Sequence, residues 1–232
     1  MRTTWRWPRD HDEGDLIVSE MDEVIPALVA AVQEQHATGD HYRDDAIRQA
    51  MEHQAQLALR PGPVRVDVIV DPPWSDGQIN SVQVVTGDRP FLVDTVASCL
   101  LRHGWRVEDV RHPIIGVKRD RGTIEAVGMP GRGGCASESW IHIDATAPLG
   151  TDIGQAAEQL RDDLCACLDQ VVCATDDWGA MHEAMLRTAE LVSASSGPAD
   201  DRDSSRELLE WLADDHFIYL SYQEFTVDGE TM

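Results

Sequence analysis

The 232-residue sequence predicts an α+β fold, a sheet with helices on one face, on three observations. Segments that alternate apolar and polar residues occur in the same chain as segments with apolar residues three and four apart. Two alternating segments are separated only by a short Arg-Gly turn, which makes them a hairpin. From residue 64 the order reads β–β–α–β–β–β–α–(α)–β, with strands and helices interspersed as in α+β domains.

Residues 1–15 are polar and carry "WRWP"; they read as a lead-in of little order. From Leu16 to Gln35 the spacing of Ile17, Met21, Val24, Leu28 and Val32 is helical, with a kink or restart at Pro26. After "TGDHY", Asp44 and Asp45 open a helix to about Leu59, with an apolar stripe of Ile47, Ala50, Met51, Ala55 and Ala58. "RPGP" stops it, and strands at 64–70 and 79–85 follow around "DPPWSDG".

The next helix starts near Pro90, ends before Gly104 and buries Val93, Val96, Leu100 and Leu101. "IIGVKRD" and "GTIEAVG" form the hairpin, and "GMPGRGGCAS" reads as a mobile loop. "ESWIHIDAT" then alternates as a strand with Trp140, His142 and Asp144 on one face. A helical stretch from about Asp152 to Val192 carries a break before the "TDDW" at 175–178. "SASSGPADDRD" is the linker, Ser204 and Glu207 make a capping box, and "HFIYLSYQEFTV" reads as a last strand. The domains expected are a helical segment over 1–60, a sheet domain over 61–192, a linker over 193–203, and a helix–strand over 204–232. Setting aside the first strand and the hairpin return leaves β–α–β–β–α–β, the ferredoxin-like order.

Composition narrows the function. With 42 acidic against 19 basic side chains the net charge is −23, which repels phosphate backbones and anionic lipid, so neither nucleic acid nor membrane is an expected partner. Lys118 is the only lysine, which leaves little room for a lysine-based phosphate loop or Schiff-base chemistry. Five cysteines, no secretory leader and no membrane-length apolar run point to reduced thiols in a cytoplasm. Cys165 and Cys167 point to different sides of a helix and no second pair stands at zinc spacing, so no metal site is expected. Glu138, His142 and Asp144 line one strand face, which could border a pocket but more often faces solvent. No catalytic arrangement is recognisable.

The strongest local signal is "VVTGDRPFLVDTVASCLLRHGWRV". The first helical turn offers backbone N–H groups around residues 91–93 to a carboxylate, and Arg89 adds a cation. Asp88 or Asp94 could then meet an ammonium group, a combination that suits an α-amino acid. The alternative is a plain corner in which Asp88 caps the helix and Asp94 favours its dipole. The candidate residues are Asp88, Arg89, Phe91, Leu92, Val93, Asp94 and Thr95.

The same stretch resembles the first strand–helix–strand of an ACT domain, a small plait that binds amino acids in many metabolic enzymes. The usual pattern has a glycine after Asp-Arg-Pro, where this chain has Phe91, a ring able to fill ligand space. "DRPFLVDTV", "RHPIIGVKRD", "ESWIHID" and "ELLEWLADDHFIYLSYQEF", in this order, also resemble the N-terminal region of the large bacterial NAD-dependent glutamate dehydrogenases. That resemblance implies an ACT-type fold and a non-catalytic regulatory or assembly module with no cofactor of its own, NAD being used elsewhere in the parent enzyme. It implies as partners the parent's remaining domains, a homo-oligomer and an amino-acid effector. A purely structural module, with Phe91 closing the niche, and a stand-alone amino-acid sensor are the rival readings.

Overall fold

The computed structural model describes residues 17–18, 26, 29, 44–75, 77–223 and 225. It contains a seven-stranded sheet whose spine is the long strand β7 (Ala136–Thr146). On one side β7 pairs antiparallel with β3 (Asn80–Gly87), and β3 pairs with β2 (Val64–Ile69). On the other side it meets two strands in succession, β4 (Arg106–Arg111) along its C-terminal half and β5 (Ile114–Asp120) along its N-terminal half. Proline cannot donate to a ladder, so the chain breaks at His112–Pro113, yet the Trp140 amide still donates to the Pro113 carbonyl (3.0 Å). β6 (Thr123–Gly128) returns beside β5, and β1 (Ile17–Val18) adds a last rung to β6.

The helices explain which residues are buried. Cross-strand pairs place Val85 with Trp140 and Gln83 with His142 on one face, and Val82 with Ile143 and Val84 with Ile141 on the other. Helix α1 (Asp44–Ala58) covers the first face, where Met51, Ala55 and Ala58 pack with Val85, Ile115, Val117 and Trp140. Helix α2 (Leu92–Arg102) and α3 (Ile153–Asp176) supply the buried rows Leu92, Val96, Leu100 and Leu160, Leu164, Leu168. Gly104, in the left-handed region at φ 76°, ends α2, and the Trp105 amide returns to the Leu100 carbonyl (2.9 Å). The expected α+β, ferredoxin-type architecture is therefore present.

Three expectations change in detail. A helix over 16–35 begins instead with the β1 rung at Ile17–Val18; Pro26 and Val29 are helical, and the rest of that span and residues 1–15 lie outside the described residues. The strand expected in "HFIYLSYQEFTV" is absent among the described residues. Leu212–His216 wind as a π-turn, and 217–223 run without a ladder partner. The sheet position beside β3 is taken by β2, whose short connection to β3 makes that pairing local. The third change is at Ser204, where no helix begins: α5 (Ala199–Trp211) starts after Pro198.

The chain forms two compact units that divide within α3, after Asp169. The second contains the end of α3, α4 (Trp178–Ala194) and α5. The break expected near 175–178 falls at Asp177. Within this unit Trp178 stacks on His182 (centroids 5.6 Å apart), and the His182 ring reaches the Ala213 carbonyl (3.2 Å).

Candidate functional site

The residues singled out in the sequence meet at the corner where β3 turns into α2. β3 ends at Gly87, and the Asp88 amide extends the ladder by donating to the Ser137 carbonyl (2.8 Å). Arg89 folds back so that its Nε donates to the Gly87 carbonyl (3.3 Å). A Cβ added to Gly87 would lie 3.3 Å from the Arg89 guanidinium, so the missing side chain leaves room for that fold.

Phe91 precedes the helix at φ 71°, ψ 2°, the left-handed conformation that glycine adopts without strain. The pattern this stretch resembles has a glycine there, a residue that takes this conformation freely. Phe91 makes no side-chain cap, and its ring stays 41% exposed. Leu92 is buried, Val93 and Thr95 are half-buried, and Asp94 is exposed in the first turn. The Thr95 amide closes that turn on the Phe91 carbonyl (3.0 Å).

Asp88 does not cap α2. Its Oδ1 accepts a hydrogen bond from Ser139 Oγ (2.6 Å) on β7, and Ser139 Oγ lies 2.9 Å from His112 Nε2. The serine proton goes to the carboxylate, so Ser139 accepts from an Nε2–H tautomer of His112. The relay runs His112 to Ser139 to Asp88. Loss of hydration lowers the His112 pKa, and the Asp88 charge opposes that shift.

Thr86 stands opposite Ser139 in the β3–β7 ladder. It is 1% exposed, and its hydroxyl has no hydrogen-bond partner among the described residues. Corner and strands thus bring together one unused hydroxyl, one relay and one cation. Sequence reasoning found the corner and missed Thr86, Ser139 and the role of His112, because the strand pairing that gathers them spans about fifty residues.

The polar row on the other face of β7 is not a solvent face. Glu138, His142 and Asp144 are buried under α1. Glu138 takes a forked contact from Arg119 (2.6 and 3.0 Å), and Asp144 pairs with Arg111. Gln83 Nε2 donates to His142 Nδ1 (3.3 Å), so His142 carries its proton on Nε2 and donates to Asp144 Oδ1 (3.1 Å). Gln83 Oε1 accepts from His53 Nδ1 (2.9 Å). His53 also lines a shallow groove of about 410 Å³ with Gln49, Glu52, Gln56, Pro73 and Trp74. The row therefore ties α1 to the sheet. Among the described residues no group of three or more His, Cys, Asp or Glu could hold a metal ion, and no helix is long and apolar enough to cross a membrane.

Strand order, the β3–α2 corner and the helices of the first unit make an ACT-type fold. The model of the family described as "Glutamate dehydrogenase, ACT1 domain" matches residues 28–164, and the chain belongs to that family. It is 28% identical over 157 residues to the NAD-specific glutamate dehydrogenase of Pseudomonas aeruginosa, covering 65% of this chain and 9% of the relative. It is 29% identical over 153 residues to the NAD-specific glutamate dehydrogenase of Halomonas elongata, covering 63% of this chain and 9% of the relative. The chain thus spans about a tenth or less of the length of the relatives it matches.

Proposed function

We propose that this chain is a non-catalytic regulatory and assembly module of an NAD-dependent glutamate dehydrogenase, and that its β3–α2 corner takes an amino-acid effector. The parent enzyme would convert L-glutamate, NAD and water to 2-oxoglutarate, ammonium and NADH in the cytoplasm, as a homo-oligomer whose remaining domains are this module's partners. NAD would bind in those domains, outside this chain.

The observation that carries the reading is the corner itself. Thr86 presents a buried hydroxyl without a partner among the described residues, beside the Asp88–Ser139–His112 relay. Such a group costs free energy unless something bonds to it, and an effector would. In the bound state Arg89 would swing from the Gly87 carbonyl to the effector carboxylate, assisted by the backbone around residues 91–93. Asp88 or Asp94 would face the ammonium group. The placement of Arg89 over Gly87 and the bulk of Phe91 favour the rival, a corner with no ligand in a module that only assembles.

A thermal-shift screen of the chain against amino acids and 2-oxoglutarate separates the two. A ligand at a hundred times its dissociation constant adds about 2.7 kcal/mol, enough to move the midpoint by a few degrees. The effector reading expects one clear hit that Arg89→Ala weakens by up to a hundredfold, the loss of one charge-assisted contact. No hit leaves assembly as the function. A hit indifferent to Arg89→Ala moves the site away from this corner.

A further inference from the structure

Two cysteines far apart in the sequence meet between α2 and α3. Cys99 lies on α2 with no surface exposed, and Cys167 lies on α3, half-buried. Arg102, one turn after Cys99, reaches across from α2 to the thiol on α3. Its Nη2 donates to Cys167 Sγ at 3.1 Å. A second tie, His103 Nε2 to Asp163 Oδ2 at 2.7 Å, holds the helices side by side one turn away. Both thiols belong to the first compact unit.

We propose that Cys99 and Cys167 form an oxidisable dithiol, a modification site whose co-reactant is a low-molecular-weight disulfide and whose product is a covalent α2–α3 cross-link. Exposure sets the order of events. Cys167 is half-buried and reachable from solvent, and Cys99 is fully buried. Cys167 attacks one sulfur of the disulfide RSSR and expels one RS⁻, leaving a mixed disulfide. Cys99 then attacks the Cys167 sulfur, forms the protein disulfide and expels the second RS⁻. The two thiol protons end on the released RSH molecules. The protein loses two electrons and RSSR gains them.

The Arg102 guanidinium places a cation beside the sulfur that attacks first. Burial pushes the Cys99 thiol up, and the Arg102 guanidinium opposes that shift. Cys165, two residues before Cys167, points to another side of α3, and Cys173 is exposed a turn and a half beyond. The cross-link would fasten the helix that starts at the effector corner, and the site stands whether or not an effector binds there.

The test is to incubate the chain with oxidised glutathione, alkylate the remaining thiols and map the peptides. The expected result is a disulfide joining the Cys99 and Cys167 peptides, with two of the five thiols lost. Cys99→Ala should trap glutathione on Cys167, and Cys167→Ser should leave Cys99 as a free thiol. A glutathione adduct persisting on Cys167 in the unsubstituted chain would overturn the proposal. So would five unchanged thiols, or a cross-link formed by Cys165 or Cys173. Should the buried Cys99→Ala variant fail to fold, the Cys167→Ser variant and the unsubstituted chain still decide.

Discussion

Thr86 and Ser139 face each other across the β3–β7 ladder, both buried, and among the described residues only the serine hydroxyl has a partner. A buried hydroxyl without a partner costs about 1–3 kcal/mol relative to a satisfied one. Thr86→Val keeps the shape and removes the unsatisfied group, so the variant should be more stable by about 1 kcal/mol in urea unfolding. A variant less stable than the parent would show that the threonine hydroxyl has a partner after all.

Phe91 pays for its left-handed backbone, at about 1–2 kcal/mol for a residue with a Cβ. Its ring is two-fifths exposed, so little burial is lost on truncation. Phe91→Gly should therefore gain about 1 kcal/mol despite the larger entropy of the unfolded chain. The same change opens the space that a ligand would occupy, and effector affinity should rise with it. Calorimetry on one sample reads both quantities.

Much of this could be read along the chain, and the unread part has one physical cause. Strands β3, β5, β6 and β7 and helices α1 and α2 stand close to where alternation and i, i+3, i+4 spacing put them, because those signals are local. His142 and Asp144 look like solvent-facing residues in the strand pattern and are buried because α1, some ninety residues earlier, packs over them. The strand after α5 looked right in composition, yet β2 takes the edge beside β3. Asp88 was legible as a corner residue, but its bond to Ser139 depends on a register that the sequence of either strand does not specify.

The Gly-rich segment after β6 fixes one position tightly. A Cβ on Gly116 would come within 2.4 Å of the Gly128 carbonyl oxygen and the Met129 carbonyl carbon, both backbone atoms that cannot swing away. Gly116→Ala should cost about 1–3 kcal/mol, as overpacking does, and spread the β5–β6 hairpin. A melting point equal to that of the parent would mean that the loop crosses elsewhere.

The Arg119–Glu138 pair holds α1 to the sheet. The guanidinium forks onto the carboxylate and also donates to the Ala58 carbonyl at the end of α1 (3.0 Å). Both side chains are at least 85% buried, with side-chain exposures of 15% and 8%. Removing one partner leaves a buried charge uncompensated, so Glu138→Gln should destabilise by about 3–5 kcal/mol. The double variant Arg119→Met, Glu138→Leu should recover much of that loss. Failure of the double variant to recover would mean that the bond to Ala58, and not the charge pair, carries the stability.

His142 should make the fold sensitive to acid. Loss of hydration and the nearby Arg111 cation lower its pKa, the Asp144 hydrogen bond opposes that shift, and the group stays neutral in the folded state. His112, lowered by the same cause at the corner, adds in the same direction. Above the unfolded histidine value of 6.5 both states are neutral and neither residue makes stability depend on pH. Below it the unfolded chain binds protons that the folded chain refuses. Stability then falls with pH by up to about 1.4 kcal/mol per unit for each histidine, until the folded value is reached. His142→Gln, which can still accept from Gln83 and donate to Asp144, should remove one such slope from urea unfolding measured between pH 7 and pH 5. An unchanged slope in that variant would place the acid sensitivity in His112 or in the carboxylates.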